Sequence, residues 1–189
     1  MDKPDWLTKP TLTGSRVVLR PFEEQDFAAI GEALADPEVL RLTGSVHSSE
    51  ETAGRSPVLD PRGLEWYRSR NTADDRLDLA IVDPATGRCV GEAVLNDYSP
   101  GNASCNFRTL IGPGGRDRGL GSEAAKLIVG YGLRSLGLHR IELMVFAFNP
   151  RAQRVYEKAG FRVEGTAREV LRYDGGWVDA IYMSILSTD

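Results

Sequence analysis

Arg116-Asp117-Arg118-Gly119-Leu120-Gly121-Ser122-Glu123-Ala124 is the stretch on which the fold turns. It is a glycine-rich loop running into a helix, just after a strand-like run and the turn Gly112-Pro113-Gly114-Gly115. The first amides of a helix have no partner within it, and the helix dipole adds about half a positive charge at that end. Glycines then let the backbone approach a diphosphate closely. Arg116 and Arg118 bring counter-charge that Asp117 and Glu123 partly offset. Two glycines that merely build a turn would look the same over so short a span. A dinucleotide-binding βαβ unit is a sharper rival, because Gly119 to Ala124 nearly fits its fingerprint and Glu142 follows at about the right distance. Against it, Glu142 falls near the start of its strand, where that motif needs an acid at the far end. Antiparallel hairpins also precede the loop.

Upstream, residues 16–20 form a short β-branched run, and Phe27, Ile30 and Leu34 recur at helical spacing within 23–34. Residues 36–62 carry Pro, Gly, Ser, Thr and Glu without a sustained period and are expected to form a long loop, with one helical turn at 38–42. A short helix at 64–70 and strands at 77–82, 90–96 and 104–111 follow, separated by turns at 83–87 and 99–102. Downstream, Leu120, Ala124, Leu127, Ile128 and Tyr131 mark one face of a helix, and 138–148 is expected to be a buried central strand. Asn149 is a good N-cap, Pro150 suits the first helical position and Gly160 ends that helix. Strands at 161–172 and 177–186 flank the turn 173–176. The order β-α-(α)-β-β-β-α-β-α-β-β is that of an α/β (α+β) chain, read as one domain over 1–189 with its core at about 11–187.

Composition narrows the function classes. A net charge of -4, from 27 acidic against 23 basic residues, gives no general attraction to nucleic acid. Cys89 and Cys105, with His47 and His139, make neither a zinc site nor a disulfide scaffold, so no metal is expected and both thiols read as reduced and structural. No apolar run is long enough for a bilayer span and the start has no leader pattern, so no membrane partner and a cytoplasmic location are expected.

Two motifs resemble the GNAT superfamily of N-acetyltransferases, and within it the RimJ/RimL-like (ribosomal-protein N-acetyltransferase-like) branch. An Arg/Gln-x-x-Gly-x-Gly/Ala loop matches Arg116, Gly119 and Gly121. A second signature, Asn-x-x-Ala-x-x-x-Tyr-Glu-Lys-x-Gly-Phe, matches Asn149, Ala152, Tyr156, Glu157, Lys158, Gly160 and Phe161. The likeness extends to Leu12–Pro21, to Glu164–Arg168 and to Gly176–Asp179, so it spans nearly the whole chain. It implies a mixed, mostly antiparallel sheet of six to seven strands flanked by about four helices, splayed between the fourth and fifth strands. It also implies acetyl-CoA as co-substrate, held at Arg116, Asp117, Arg118, Gly119, Leu120, Gly121 and Ser122, with backbone amides near Thr109, Leu110 and Ile111 against the pantetheine arm and Asn149 beside it. The reaction implied is transfer of acetyl to a primary amine by direct attack in a ternary complex. Protein N-termini, polyamines, aminoglycosides and small amino compounds are all acceptors associated with that branch. A non-catalytic acetyl-CoA-binding module and a dinucleotide-dependent oxidoreductase are the alternatives.

The chemistry needs a neutral amine, and a lysine-type amine has a reference pKa of ~10.4 against ~7.7–8.0 for an α-amino group. It also needs donors for an oxyanion and a proton for the leaving thiolate. Tyr156 matches the family's acid position, or else only packs on the apolar face with Ala152 and Val155. Asn149 serves the pantetheine, the helix cap, or both. Where many relatives carry a Glu this chain has Asn106, so a base cannot be copied over. Glu92, mid-strand beside the expected cleft, is one choice, unless it faces solvent or a salt bridge. Asp97, Asn106 through water, Glu164, Asp179 and deprotonation by no single base stay open. Trp66, Tyr67 and Trp177 line an acceptor pocket or serve as core and rim aromatics. Neither cysteine sits in a nucleophile-base pattern, which argues against an acyl-enzyme, and exposed edge strands leave room for a homodimer.

Overall fold

A computed structural model describes residues 4–189; the first three residues of the expected 1–189 domain lie outside the described residues. The elements are β1 (Leu12–Thr13), β2 (Val18–Arg20), α1 (Phe27–Ala35), α2 (Pro37–Leu42), α3 (Pro61–Ser69), β3 (Leu77–Asp83), β4 (Arg88–Ser99), β5 (Ser104–Ile111), α4 (Leu120–Arg134), β6 (Arg140–Phe146), α5 (Pro150–Lys158), β7 (Arg162–Tyr173) and β8 (Gly176–Leu186). The strands form one sheet in the order β1-β2-β3-β4-β5-β6-β8-β7. Every pairing is antiparallel except β5 with β6, which are parallel.

Period-two alternation sorts the side chains into two cores. Leu77, Leu79 and Ile81 of β3 join Ile128, Ile141 and Met183 in the larger core, which α4 and α5 cover. Ala80 and Val82 pack on the other face with Phe22, Phe27, Ile30 and Tyr67, from the segments around α1 and α3. With both faces covered, all seven residues of β3 are buried.

Three expectations are corrected. The sheet has eight strands, because Leu12–Thr13 pairs with β2 although two residues are too few to show a period. The helical turn expected at 38–42 within the long loop is α2, started by Pro37 and by Asp36, whose carboxylate accepts from the Val39 amide at 2.9 Å, so five α-helices form among the described residues where about four were expected. Finally, β6 is half-buried: Ile141, Leu143 and Val145 face the core, while Glu142 and Met144 are exposed.

Candidate active site

β5 and β6 pair only through Ser104, Cys105 and Asn106 with Arg140, Ile141 and Glu142. Beyond that point the two strands separate, as expected for the fourth and fifth long strands. On its other side β5 stays paired with β4, and the Gly112 amide donates to the Val90 carbonyl at 2.8 Å. The two-residue repeat of that ladder turns the Leu110 backbone toward β4 as well, leaving the backbone groups of Thr109 and Ile111 on the opened edge. The expectation that Leu110 offers its amide there is therefore corrected; it contributes a side chain. A cleft of about 570 Å³ passes through the opening, lined by α2, β4, β5, the 115–122 loop, β6 and α5.

At one end of the cleft stands the start of α4. Gly119 is its N-cap, in the left-handed region at φ +76°, with no side chain capping the helix. The first intrahelical bond runs from the Glu123 amide to the Gly119 carbonyl, at 3.2 Å, so the amides of Leu120, Gly121 and Ser122 have no helical partner. A Cβ at Gly119 would lie 2.8 Å from Nη1 of Arg16, whose guanidinium therefore sits against the loop. Sequence reasoning missed Arg16: nothing local links a residue of the β1–β2 turn to a helix over 100 positions away. Its place is set by Glu123, whose carboxylate accepts from the amides of Ser15 (2.9 Å), Arg16 (2.6 Å) and Val17 (2.9 Å) and from the Ser15 hydroxyl (2.7 Å). Glu123 is thus a clamp on that turn, where an offset to the arginines was expected. Arg116 pairs with Asp36 and, at 2.7 Å, with Glu38. Arg118 pairs with Asp83 at 2.7 Å, and Asp117 with Arg151 at 3.3 Å. The loop still presents free amides and the Arg16 cation, which suits the diphosphate of a coenzyme.

On the opposite face of the sheet lies Glu92, only 2 % exposed. It does not face solvent, but it does form the salt bridge left open by the sequence: Arg108 Nη2 is 3.4 Å from one carboxylate oxygen, while Oε2 has no hydrogen-bond partner. Burial raises the Glu92 pKa above the ordinary carboxylate value, Asp78 adds to it, and Arg108 and the neighbouring Tyr67 phenol, which donates toward the carboxylate, oppose it. The Tyr67 phenol is pushed up by burial and by the Glu92 charge, so it stays protonated. Thr109 Oγ1 donates to the Glu92 carbonyl at 2.7 Å, tying the two strands together at this point.

Tyr156 lines the cleft from α5 and also packs, its ring 5.9 Å from that of Phe107 and 6.1 Å from that of Phe161. Burial pushes its phenol up to about 12, which keeps the proton on the oxygen at neutral pH. Asn149 caps α5 by accepting from the Ala152 amide at 3.0 Å and lines the same cleft. The other base candidates are elsewhere. Asp97 is exposed and bonded to Asn96, and Asn106 bonds Asn96 at the closed end of the splay. Arg140 holds the Glu164 carboxyl down to about 2, and Asp179 accepts from the Glu169 amide. Trp66 borders the acceptor end of the cleft with Tyr67, whereas Trp177 is 60 % exposed on β8 and outside it. Burial pushes both thiols up to about 12, which suits structural cysteines. Among the described residues no cluster of metal ligands forms. The dinucleotide reading loses its acid: Glu142 lies at the closed end of the β5–β6 pair, remote from the start of α4, and bonds Arg140.

Comparison with known proteins places this geometry. The acetyltransferase (GNAT) domain family matches residues 16–162. Spermidine N(1)-acetyltransferase of Escherichia coli K12 is 31% identical over 169 residues, covering 89% of this chain and 85% of the relative. L-amino acid N-acetyltransferase of the same strain is 28% identical over 172 residues, covering 90% and 98%. Among solved structures, spermidine N-acetyltransferase from Vibrio cholerae in complex with CoA and spermine superposes with a TM-score of 0.76 at 23% identity, covering 93% of this chain and 98% of that one.

Proposed function

The chain belongs to the acetyltransferase (GNAT) family and moves an acetyl group from acetyl-CoA to an amine; from that premise we propose how its cleft does so. The observation that carries the proposal is the continuity of the opening, from the free amides at the start of α4, past the unpaired edge of β5, to the buried carboxylate of Glu92. The Leu120, Gly121 and Ser122 amides, with Arg16, hold the coenzyme diphosphate, and Arg116, Asp117, Arg118 and Gly119 shape the loop that presents them. Thr109 and Ile111 offer backbone hydrogen bonds to the pantetheine arm, Leu110 packs against the acceptor, and Asn149 keeps the start of α5 in place beside them. Bound acetyl-CoA supplies the acetyl group as a thioester.

Glu92 takes the proton of the incoming ammonium at its unpartnered Oε2. A carboxylate whose pKa is raised by burial is better matched to that transfer than an exposed one. The freed amine attacks the thioester carbonyl directly, and the C–S bond breaks as Tyr156 gives its phenolic proton to the departing thiolate. The extra proton on the new amide nitrogen restores the phenol, while the one on Glu92 leaves to solvent. Nothing in this sequence of steps needs a nucleophilic cysteine. A small amine matches the volume of about 360 Å³ at the acceptor end more closely than a protein N-terminus does. Kinship with the ribosomal-protein branch is the narrower proposal, carried by the two motifs alone. A cytoplasmic location and a homodimer through the β1 or β7 edge belong to the same proposal, and buried free thiols at Cys89 and Cys105 are compatible with it.

The test is acetyl-CoA-dependent release of free CoA, scanned over pooled amino acids, polyamines, aminoglycosides and N-terminal peptides, with acetyl-CoA binding followed in parallel. Release with one small-amine pool is the expected result. Binding without release in any pool would point to a sensing module, and no binding would overturn the reading of the α4 loop.

A further inference from the structure

The acceptor end of the cleft opens on a cavity of about 360 Å³ between α2, α3 and the β4–β5 ladder. Its apolar wall comes from Leu34, Val39, Leu40, Leu59, Trp66 and Tyr67, and its charged lining residues are Glu92 and Arg108, one of each sign. They occupy adjacent strands, and their nearest charged atoms are 3.4 Å apart, outside tight hydrogen-bond range. Each keeps capacity to spare. Glu92 Oε2 is buried without a donor, an arrangement that costs free energy until one arrives. The Arg108 side chain is 47% exposed, and its planar fork of donors is not used by a bidentate partner.

Resting on the acetyltransferase reading above, we propose that the acceptor is an amino-acid-like zwitterion: a primary amine with a carboxylate on the same carbon and an apolar side chain. Its ammonium is taken by Glu92, its carboxylate by Arg108, and its side chain fills the Leu/Trp-lined cavity. The charge order is complementary, since ammonium and carboxylate on one carbon are separated by a span similar to that between the two side-chain groups. The ammonium supplies the donors that Oε2 lacks, and the guanidinium matches a carboxylate in two parallel bonds. A polyamine fits worse. Its second ammonium needs a second free carboxylate within reach of the first; the charged neighbour of Glu92 in this cavity is a cation, which repels it, and Glu38 in the adjoining cleft is held by Arg116 at 2.7 Å. A peptide N-terminus has an amide where the carboxylate should be and leaves Arg108 unmatched.

The experiment compares kcat/KM for L-phenylalanine, L-leucine and L-methionine with their decarboxylated amines, their carboxamides and spermidine, each by CoA release at the pH optimum. The best amino acid is expected to exceed its own amine and amide by about 30-fold, the worth of a charge-assisted bidentate contact of roughly 2 kcal/mol. Arg108→Gln should collapse that preference to within about threefold, chiefly through KM, and Arg108→Lys should restore part of it. Spermidine or the decarboxylated amines serving as well as every amino acid would overturn the proposal. So would Arg108→Gln lowering all acceptors equally, the signature of a structural role. Acetyl-CoA binding with no release from any acceptor would overturn the acetyltransferase reading beneath it.

Discussion

Glu92→Gln keeps the shape of the buried side chain and removes its charge and its basicity. General-base catalysis is worth about 10²–10⁴-fold. Without a base the variant must bind the free amine. At pH 7.4 that is about one part in a thousand for an amine of pKa ~10.4 and about one part in five for an α-amine near ~8. The deprotonation component of the loss is therefore capped near a thousandfold for the basic acceptor, about 4 kcal/mol of transition-state stabilisation, and is smaller for less basic ones. The gap should close by about tenfold per pH unit as the solution supplies the free amine. Wild type should lose activity at low pH with an apparent pKa above the ordinary carboxylate range, since burial raises Glu92, and the Gln variant should lack that limb. Stability moves the other way. The folded-state pKa of Glu92 lies above its unfolded value, so the wild type loses stability as pH rises through the interval between them. The neutral Gln escapes this loss, so its Tm relative to wild type should rise across the interval. Initial rates of CoA release from pH 5 to 9, paired with thermal melts, read both effects. A variant within threefold of wild type that keeps the acid limb would refute the assignment of Glu92 as base.

Tyr156→Phe keeps the packing against Phe107 and Phe161 but loses the proton donor. It should lower kcat by about 10–100-fold while leaving acetyl-CoA affinity within twofold in a calorimetric titration, and unchanged turnover would remove its role as acid. Gly119→Ala forces a side chain into the left-handed region and onto Arg16. It should cost about 1 kcal/mol of stability and weaken acetyl-CoA binding by at least about tenfold, both measurable on one sample. Glu123→Ala leaves three backbone amides and a hydroxyl without their acceptor, which should cost about 2 kcal/mol and lower Tm by about 4–8 °C. Although desolvation works against it, the bonds from Ser15, Arg16 and Val17 hold the Glu123 pKa below its ordinary value. The stabilisation is present above the unfolded carboxylate pKa and should fade as pH falls through the lowered folded one.

The elements that announce themselves by local chemistry were legible in the sequence. Asn149, Pro150 and Gly160 punctuate α5 where the structure has it, and the period change after Gly121 marks α4. The turn at 173–176 places the last hairpin to within a residue. Elements decided by distant partners were not. β1 is two residues long, and the turn after it is clamped by Glu123 from over 100 positions away; α2, by contrast, was legible as a helical turn at 38–42, which Asp36 and Pro37 start one residue earlier. The site divides in the same way. The α4 loop was visible because glycines and free amides are properties of one segment. Which edge of β5 opens depended on ladder phase, which turned the Leu110 backbone away. The burial of Glu92 required knowing that Tyr67 and α2 cover it, and Arg16 reaches Gly119 only through the folded β1–β2 turn.

Direct transfer between two bound substrates is tested most simply by initial rates of CoA release over a grid of acetyl-CoA and amine concentrations, with the acetylated amine quantified in the same samples. One acetylated amine per CoA and double-reciprocal lines that intersect are expected, because both substrates must occupy the cleft before the thioester breaks. Parallel lines, with an acetylated form of the protein that passes its acetyl group on at the turnover rate, would contradict it.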